Sequence, residues 1–223
     1  MLKPEDSEIV ARAITEAETR TDGEISVVVA PSSDTYADVV LHWSLLAALL
    51  PLSVFATFPS LIACATALIH DPWASGGPPL RWTITLLLLA TVAAFLIAWA
   101  IARLAPVRMA LTPHETKMRR SRRRAIMLFQ VGTERRTASR TGVLLYLSIA
   151  EHHAEIVADE SIQSKIGGEE WGEAMLALLE GVRAGQPGEG IAAAVRKIGD
   201  VLATHFPHTG ADPNELPDRL IQL

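Results

Sequence analysis

The sequence has very little cysteine and no recognisable catalytic sequence. Cys64 is the single cysteine among 223 residues and lies in an apolar stretch, so no internal disulfide or cysteine-based metal cluster can form. The opening residues, MLKPEDSE, lack the basic and then apolar order of a secretory signal, and we expect the N-terminus to stay where it is made. A phosphate-cradling glycine loop, a serine nucleophile elbow and an HExxH sequence are all absent. The sequence therefore assigns no catalytic residue.

Two long stretches without charge occupy the middle of the chain, in keeping with a mean hydropathy of +0.25. They cover residues 43–69 and 82–102. As helices they would be about 40 Å and about 31 Å long, enough for a hydrocarbon core of about 30 Å. The segment between them, HDPWASGGPPLR, favours a short turn. The pattern predicts a two-helix transmembrane hairpin; a pair of buried helices in a soluble core is the alternative, which apolarity on every face disfavours.

Basic residues cluster after the second apolar stretch. The cluster comprises Arg119, Arg120, Arg122, Arg123 and Arg124. Because basic flanks stay on the cytoplasmic side, we predict a multi-pass protein of the inner cell membrane with both termini in the cytoplasm. We expect the cluster to face anionic membrane lipid. Nucleic acid is the alternative partner, but it requires an extra assumption, and we predict none.

The segments on either side of the hairpin predict two parts of one α/β domain. Glu24–Ala30 (EISVVVA) predicts a strand after an amphipathic helix, and Gly142–Ile149 and Ala154–Asp159 predict two further strands in a β-hairpin. A lone strand leaves its backbone groups unpaired, so the sheet must combine both parts. The predicted fold is helices packed on a small mixed sheet, interrupted by the membrane hairpin. The predicted boundaries are residues 1–42 and 105–206 for the two parts, 43–104 for the hairpin and 207–223 for an irregular tail.

Five carboxylates are candidate ligands for a metal ion. They are Glu18, Asp22, Glu24, Asp159 and Glu160. All lie at predicted strand ends or helix termini that one edge of the sheet could bring together, and carboxylates suit a hard cation such as Ca²⁺ or Mg²⁺. The alternative is a set of ordinary solvated acids, which the lack of a regular Asp-x-Asp-x-Asp-Gly spacing favours.

Several segments share their order and sequence with a known family. They are EAETRTDGEISVVV (Glu16–Val29), TGVLLYLSIAEHHAEIVADESI (Thr141–Ile162), Trp171, IGDVLATHFP (Ile198–Pro207) and NELPD (Asn214–Asp218). The chain resembles the TPM domain, a family named after thylakoid-lumen, photosystem-repair and nematode receptor-modulator proteins, and in particular its bacterial membrane-associated branch. The positions that match individually are Glu18, Gly23, Glu24, Gly142, Asp159 and Trp171. Thr141 departs from the pattern, because relatives of this branch usually have Asn before the Gly.

The resemblance implies an α/β/α sandwich and two kinds of function. Some family members bind calcium and show acid phosphatase activity, while others are accessory proteins of membrane complexes. The first hypothesis is a membrane-anchored accessory or binding module whose cytoplasmic domain docks on a protein partner. The alternative is an anchored phosphatase that depends on a divalent metal, Ca²⁺ or Mg²⁺.

Overall fold

The structure is a computed structural model that describes residues 2–67, 80–132, 141–209 and 220–223. Its contacts divide the chain into two compact units. The α/β unit contains residues 1–34 and 114–223, and the helical unit contains residues 35–113. In chain order the elements are α1 (Pro4–Glu18), β1 (Glu24–Ala30), α2 (Ala37–Thr57), α3 (Pro59–Ala67), α4 (Leu80–Ala102), α5 (Ala105–Leu111), α6 (His114–Gly132), β2 (Gly142–Ser148), β3 (His153–Ala158), α7 (Glu160–Gln163), α8 (Gly172–Arg183), α9 (Pro187–His205) and β4 (Leu220–Gln222).

A four-stranded mixed sheet in the order β3-β2-β1-β4 forms the centre of the α/β unit. β1 runs parallel to β2, with Glu24 opposite Gly142 and Ala30 opposite Ser148, and β2 and β3 form an antiparallel hairpin. The prediction that one sheet joins the chain on both sides of the apolar stretches is therefore confirmed. It follows that the α/β unit cannot form from either part alone.

The prediction of an irregular tail over residues 207–223 is wrong at its end. β4 pairs in parallel with β1, with Leu220 opposite Val27. The free edge of β1 would otherwise expose unpaired amides and carbonyls, so a further strand is stabilising there. The segment NELPD lies outside the described residues.

Helices cover both faces of the sheet. The side chains of alternate β1 residues point to opposite faces and pack on different helices. Ile25, Val27 and Val29 belong to a core shared with α1, α8 and α9. Val28 and Ala30 belong to a second core, which contains Ala125 and Phe129 of α6. A strand buried on both faces is mostly apolar, as EISVVVA is apart from Glu24 and the partly buried Ser26.

The helical unit contains α2, α4 and two short helices. α2 and α4, of 21 and 23 residues, are long and apolar enough to cross a membrane. The second predicted span, residues 82–102, lies within α4. The first, residues 43–69, is not one helix: α2 ends at Thr57, Phe58 leaves the helical conformation (φ −124°, ψ 74°), and α3 follows from Pro59. Pro59 has no amide hydrogen with which to continue the helix.

The unit boundaries also differ from the predicted ones. The first part of the α/β unit ends at Asp34 instead of residue 42, because α2 begins at Ala37, upstream of the apolar stretch. The second part begins at His114 instead of residue 105, because α5 belongs to the helical unit. Residues 68–79, with the last two of the first apolar stretch and most of the predicted turn, lie outside the described residues.

Candidate functional site

Three of the predicted metal ligands lie at the amino edge of the sheet, where β1 and β2 begin. Glu18 Oε1, at the end of α1, accepts a hydrogen bond from the amide of Ile25 at 2.9 Å. Asp159 Oδ2 accepts one from the amide of Gly142 at 2.8 Å, and Glu24 is paired with Gly142 in the sheet. Glu24 and Asp159 are both buried, each 6% exposed. The structure thus brings Glu18, Glu24 and Asp159 to one edge, as the sequence predicts.

Asp22 holds the segment that follows α9. Its carboxylate accepts the amide of Thr209 at 2.9 Å and the hydroxyl of Thr209 at 2.6 Å, and Nδ1 of His208 lies 3.0 Å from Oδ1. The two hydrogen bonds from Thr209 lower the pKa of Asp22, with a further contribution from His208. This carboxylate therefore has a structural task in the described chain, which is to tie residues 208 and 209 to the loop before β1.

Glu160 is the exposed first residue of α7, where a negative charge suits the helix dipole. Among the described residues, no group of three or more His, Cys, Asp or Glu side chains is arranged to hold a metal ion. Glu18 and Asp159 accept backbone amides instead, which fixes the starts of β1 and β2. The calcium or magnesium site stays a prediction.

The predicted basic cluster is split between two roles. α6 buries Ser121, Ala125 and Phe129, and its outer face carries the exposed Arg119, Arg122 and Arg123. Arg120 forms an ion pair with Asp34, with Nη1 2.8 Å from Oδ2, and Arg124 is half-buried. Only the three exposed arginines have the placement that lipid contact requires.

Arg120 lies in the α/β unit together with the loop that follows β1. Asp34 is the last residue of the first part of the α/β unit, and α6 is the first element of its second part, so their ion pair links the two parts of this unit. Arg120 is half-buried and Asp34 is exposed, so water screens part of their attraction. Within the α/β unit, the pair ties the loop after β1 to α6.

Sequence reasoning missed a second polar cluster, at the carboxyl edge of the sheet. Glu151, in the turn between β2 and β3, is only 7% exposed. Its Oε1 accepts the Ser32 hydroxyl at 3.1 Å and the Ser33 amide at 3.0 Å, and its Oε2 accepts the Ser148 hydroxyl. The Ser33 hydroxyl is also 3.0 Å from the hydroxyl of Tyr146. We call the set of bonds made by Glu151 the Glu151 clamp.

The Glu151 clamp ties the loop after β1 to the β2–β3 turn. A buried carboxylate that accepts several hydrogen bonds is well solvated by protein and has little capacity left for a ligand. The sequence gives little indication that Glu151 is buried, because a glutamate in a polar hairpin turn is usually exposed. The spacing Ser148-x-x-Glu151 was the available hint, since it resembles a local side-chain hydrogen-bonding pattern.

The α/β unit also exposes large apolar side chains on α8. Leu176 is 61% exposed, and Leu179 and Val182 follow it at helical spacing with 40% and 38%. The opposite side of the helix, with Ala174 and Leu178, is buried in the core. We call the three exposed side chains the α8 stripe. Contiguous exposed apolar side chains are typical of a protein contact surface.

Taken together, the described residues define a mixed α/β protein with a small four-stranded sheet and two helices that could cross a membrane. No family model matches the sequence, and no curated protein matches it. Among solved structures, it is similar to the NMR structure of the BA42 protein from the psychrophilic bacterium Bizionia argentinensis. The TM-score is 0.57 at 17% identity, over 100% of this chain and 96% of that one. A likeness at this identity shows a shared fold.

Proposed function

We propose that this protein is a membrane-anchored accessory module of the TPM type, in which α2 and α4 cross the inner membrane and the α/β unit docks on a partner in the cytoplasm. The single observation that carries the proposal is the exposure of the two apolar helices. None of the residues in the most apolar part of α4 is buried, and 22% are in α2. Such surface is strongly unfavourable in water and stable in lipid.

The anchor is tested by flotation of the full-length chain with phospholipid vesicles after a carbonate wash. We expect the protein to float with the vesicles and to require detergent for release. Reporter fusions at Ser33 and Leu223 should both report the cytoplasm, since the basic residues after α4 orient the spans. A chain that stays monodisperse in plain buffer would refute the anchor, and a periplasmic fusion at either position would refute the orientation.

Lipid contact is assigned to the exposed arginines of α6. Arg119, Arg122 and Arg123 lie on the face that also exposes Ile126 and Met127, a combination that suits the headgroup layer. Each basic residue near an anionic surface contributes about 1 kcal/mol. Changing all three arginines to glutamine should reduce the anionic phospholipid that native mass spectrometry finds on the protein.

The matched control for that variant is Arg196→Gln, because Arg196 is an exposed arginine of α9. We expect this single change to leave the retained lipid unaltered. Arg120→Gln should also retain the lipid, since Arg120 pairs with Asp34. Equal lipid retention in the triple variant and the wild type would remove α6 as the lipid contact.

Partner docking is assigned to the α8 stripe. Leu176→Gln should reduce the amount of a cross-linked partner recovered from membranes, because it places an amide at the most exposed position of the stripe. Ile149→Gln is the control, since Ile149 is an exposed apolar residue of the same unit, 41% exposed, outside the stripe. A protein that is repeatedly purified alone, or equal recovery from both variants, would contradict docking through α8.

The second candidate function is a phosphatase dependent on a divalent metal. It is favoured by one observation, the position of Glu18, Glu24 and Asp159 at a single sheet edge. Calorimetric titration of the full-length protein with Ca²⁺ and with Mg²⁺ tests it. Absence of binding heat for both ions, together with unchanged phosphate release in an Asp159→Asn variant, would remove this candidate.

A further inference from the structure

One positive charge of the helical unit is partly buried without a counter-ion. Arg108 is half-buried and lies in α5, which contacts α2 and α4. Its Nε atom is buried and has no hydrogen-bond partner among the described residues. No ion pair of the described residues uses its guanidinium either. Burying a charge costs free energy unless an anion compensates it, so Arg108 is a candidate for binding an anion.

A second arginine lies close to Arg108 in the chain. Arg103 directly follows the last residue of α4, and its Cζ atom lies 4.5 Å from the centre of the Trp99 ring. This stacking holds the guanidinium beside the ring and leaves the N–H groups on its edge open to an anion. The amide of Arg108 donates to the carbonyl of Leu104 at 2.9 Å, four residues back or about 6 Å along a helix axis. The two long side chains are thus close enough to reach one anion together.

The described part of the helical unit has little negative charge of its own. Residues 35–67 and 80–113 contain three arginines, Arg81, Arg103 and Arg108, but one carboxylate, that of Asp38. Asp38 lies in the first turn of α2, and no ion pair of the described residues joins it to Arg103 or Arg108. An anion from another molecule would therefore compensate the charge of these two arginines.

The surroundings of Arg103 indicate which kind of anion fits. Ile101 and Leu104, on either side of it, are 50% and 56% exposed, and Trp99 is 40% exposed. Exposed apolar side chains next to a tryptophan and an arginine are typical of the boundary between hydrocarbon and lipid headgroups. If α4 crosses a bilayer, as the proposed function states, Arg103 lies at the depth of the lipid phosphates. The carboxylate of a soluble protein would have to enter this apolar rim, so a lipid phosphate fits better.

We propose that Arg103 and Arg108 bind the phosphate of an anionic phospholipid at the end of α4. The inference rests on the proposed function, because it requires that α4 span the bilayer. Arginine suits this task, since its planar guanidinium donates two parallel hydrogen bonds to a phosphate. The phosphate compensates the half-buried charge of Arg108, and the stacked Arg103 supplies the second cation. A zwitterionic headgroup carries its own cation and compensates these charges less well.

The test measures lipid binding to the full-length protein in a nonionic detergent. Native mass spectrometry follows titrations with phosphatidylglycerol and with phosphatidylcholine, each in the presence and absence of equimolar inorganic phosphate. We expect the first phosphatidylglycerol to bind more tightly than any phosphatidylcholine and to stay bound when inorganic phosphate is present. Equal affinity for the two lipids, or displacement by inorganic phosphate, would overturn the lipid site.

Three single variants locate the site. Arg108→Gln and Arg103→Gln should each lower the affinity for phosphatidylglycerol about tenfold, because each removes a charge-assisted hydrogen bond to the phosphate. Arg81→Gln is the matched control: Arg81 is exposed, begins the other end of α4 and also stacks on a tryptophan, with Cζ 5.6 Å from the ring of Trp82. It should leave the affinity unchanged. Equal losses in all three variants would show that any surface arginine attracts the lipid, and would overturn the site.

Thermal unfolding gives a second readout and checks that the variants fold. Without phosphatidylglycerol, Arg108→Gln should melt no lower than the wild type, because it removes a half-buried charge that has no counter-ion. Phosphatidylglycerol should raise the melting temperature of the wild type more than that of Arg108→Gln, since a ligand of the folded state stabilises it. An equal rise in both proteins would contradict the site. Arg103→Gln, at an exposed position, decides the question if Arg108→Gln is misfolded.

The outcomes separate this inference from the proposed function. A chain that does not float with vesicles refutes the membrane anchor itself. A chain that floats but binds phosphatidylglycerol and phosphatidylcholine alike keeps the anchor, and only the site at the end of α4 is overturned. The same holds if the tightest phosphatidylglycerol is lost in the triple variant of α6 and retained in both Arg103→Gln and Arg108→Gln.

Discussion

Replacing Glu151 by alanine should destabilise the carboxyl edge of the sheet. The change removes the acceptor for the Ser33 amide at 3.0 Å and the Ser32 hydroxyl at 3.1 Å, and it also frees the Ser148 hydroxyl. At 7% exposure, Glu151 is surrounded by protein, so water cannot take over these bonds at no cost. The loop after β1 would lose its attachment to the β2–β3 turn.

The size of the effect follows from the three donors. A buried donor left without an acceptor costs about 1–3 kcal/mol. The hydroxyls of Ser32 and Ser148 can rotate toward other acceptors, whereas the amide of Ser33 is fixed, so we expect a total of about 3 kcal/mol for Glu151→Ala. Glu151→Gln keeps the side-chain shape and one acceptor oxygen and should cost about 1 kcal/mol.

Hydrogen-exchange mass spectrometry of the full-length protein in detergent micelles measures this difference locally. A loss of about 3 kcal/mol should speed exchange in peptides from β1 and β2 about a hundredfold. Glu180→Ala is the control, because Glu180 is an exposed glutamate of α8. If Glu151→Ala and Glu180→Ala exchange at the same rate in these peptides, the Glu151 clamp does not stabilise the sheet and the reasoning is refuted.

Two further perturbations test the tail and the helix packing. Asp22→Asn should lower the melting temperature near neutral pH, because it weakens the hydrogen bonds from Thr209. Those bonds lower the pKa of Asp22, so the difference in melting temperature between wild type and variant should be full above about pH 4. It should disappear as the pH falls through the lowered pKa. A constant advantage down to about pH 2 would contradict this assignment. Gly181→Ala should cost about 2 kcal/mol in urea unfolding, because a Cβ there would lie 2.6 Å from the amide nitrogen of Gly190. Gly172→Ala, where a Cβ meets nothing within 4 Å, should stay within about 0.5 kcal/mol of wild type, and equal losses would show that α8 and α9 can separate freely.

The parts of the fold that the sequence predicts are those with long apolar patterns. β1 and the β2–β3 hairpin follow from Glu24–Ala30, Gly142–Ile149 and Ala154–Asp159, and the structure places them within a residue or two of those bounds. β4 could not be predicted, because three residues are too few to show an alternation, and it is stabilised by β1, far away in sequence. Whether so short a strand forms depends on its hydrogen bonds to a strand distant in the sequence.

The break in the first apolar stretch shows a second limit. Pro51 and Pro59 look alike in the sequence, yet Pro51 lies inside α2 while the helix ends just before Pro59. Each removes one helical hydrogen bond, so local propensity does not separate them. The packing of α2 on α4 favours helix at Pro51, and no sequence rule supplies that information.

The candidate site also has a part that the sequence predicts and a part that only the structure shows. The convergence of Glu18, Glu24 and Asp159 could be predicted because helix ends and strand starts meet at a sheet edge. Whether those carboxylates bind a cation or backbone amides depends on distances of a few tenths of an ångström, which only coordinates supply. The burial of Glu151 has the same origin, since it depends on the loop after β1 folding over the turn.

The sheet itself sets a condition on how the chain can cross a membrane. β1 leaves the sheet at Ala30, at the carboxyl edge, and β2 enters at Gly142, at the amino edge. α6, about 28 Å long at 19 residues, covers the return across seven-residue strands of about 23 Å, and its Arg120 pairs with Asp34 at the carboxyl edge. Within the α/β unit, the loop after β1 and α6 therefore meet at the carboxyl edge of the sheet.

Because β1 and β2 are joined by backbone hydrogen bonds along their whole length, both must lie on the same side of any bilayer. An insertion between them must cross that bilayer an even number of times. A chain with one span would place β1 and β2 in different compartments, each with an unpaired edge that it cannot bury. A membrane anchor inserted between β1 and β2 therefore needs an even number of spans, and two apolar helices, α2 and α4, meet this requirement.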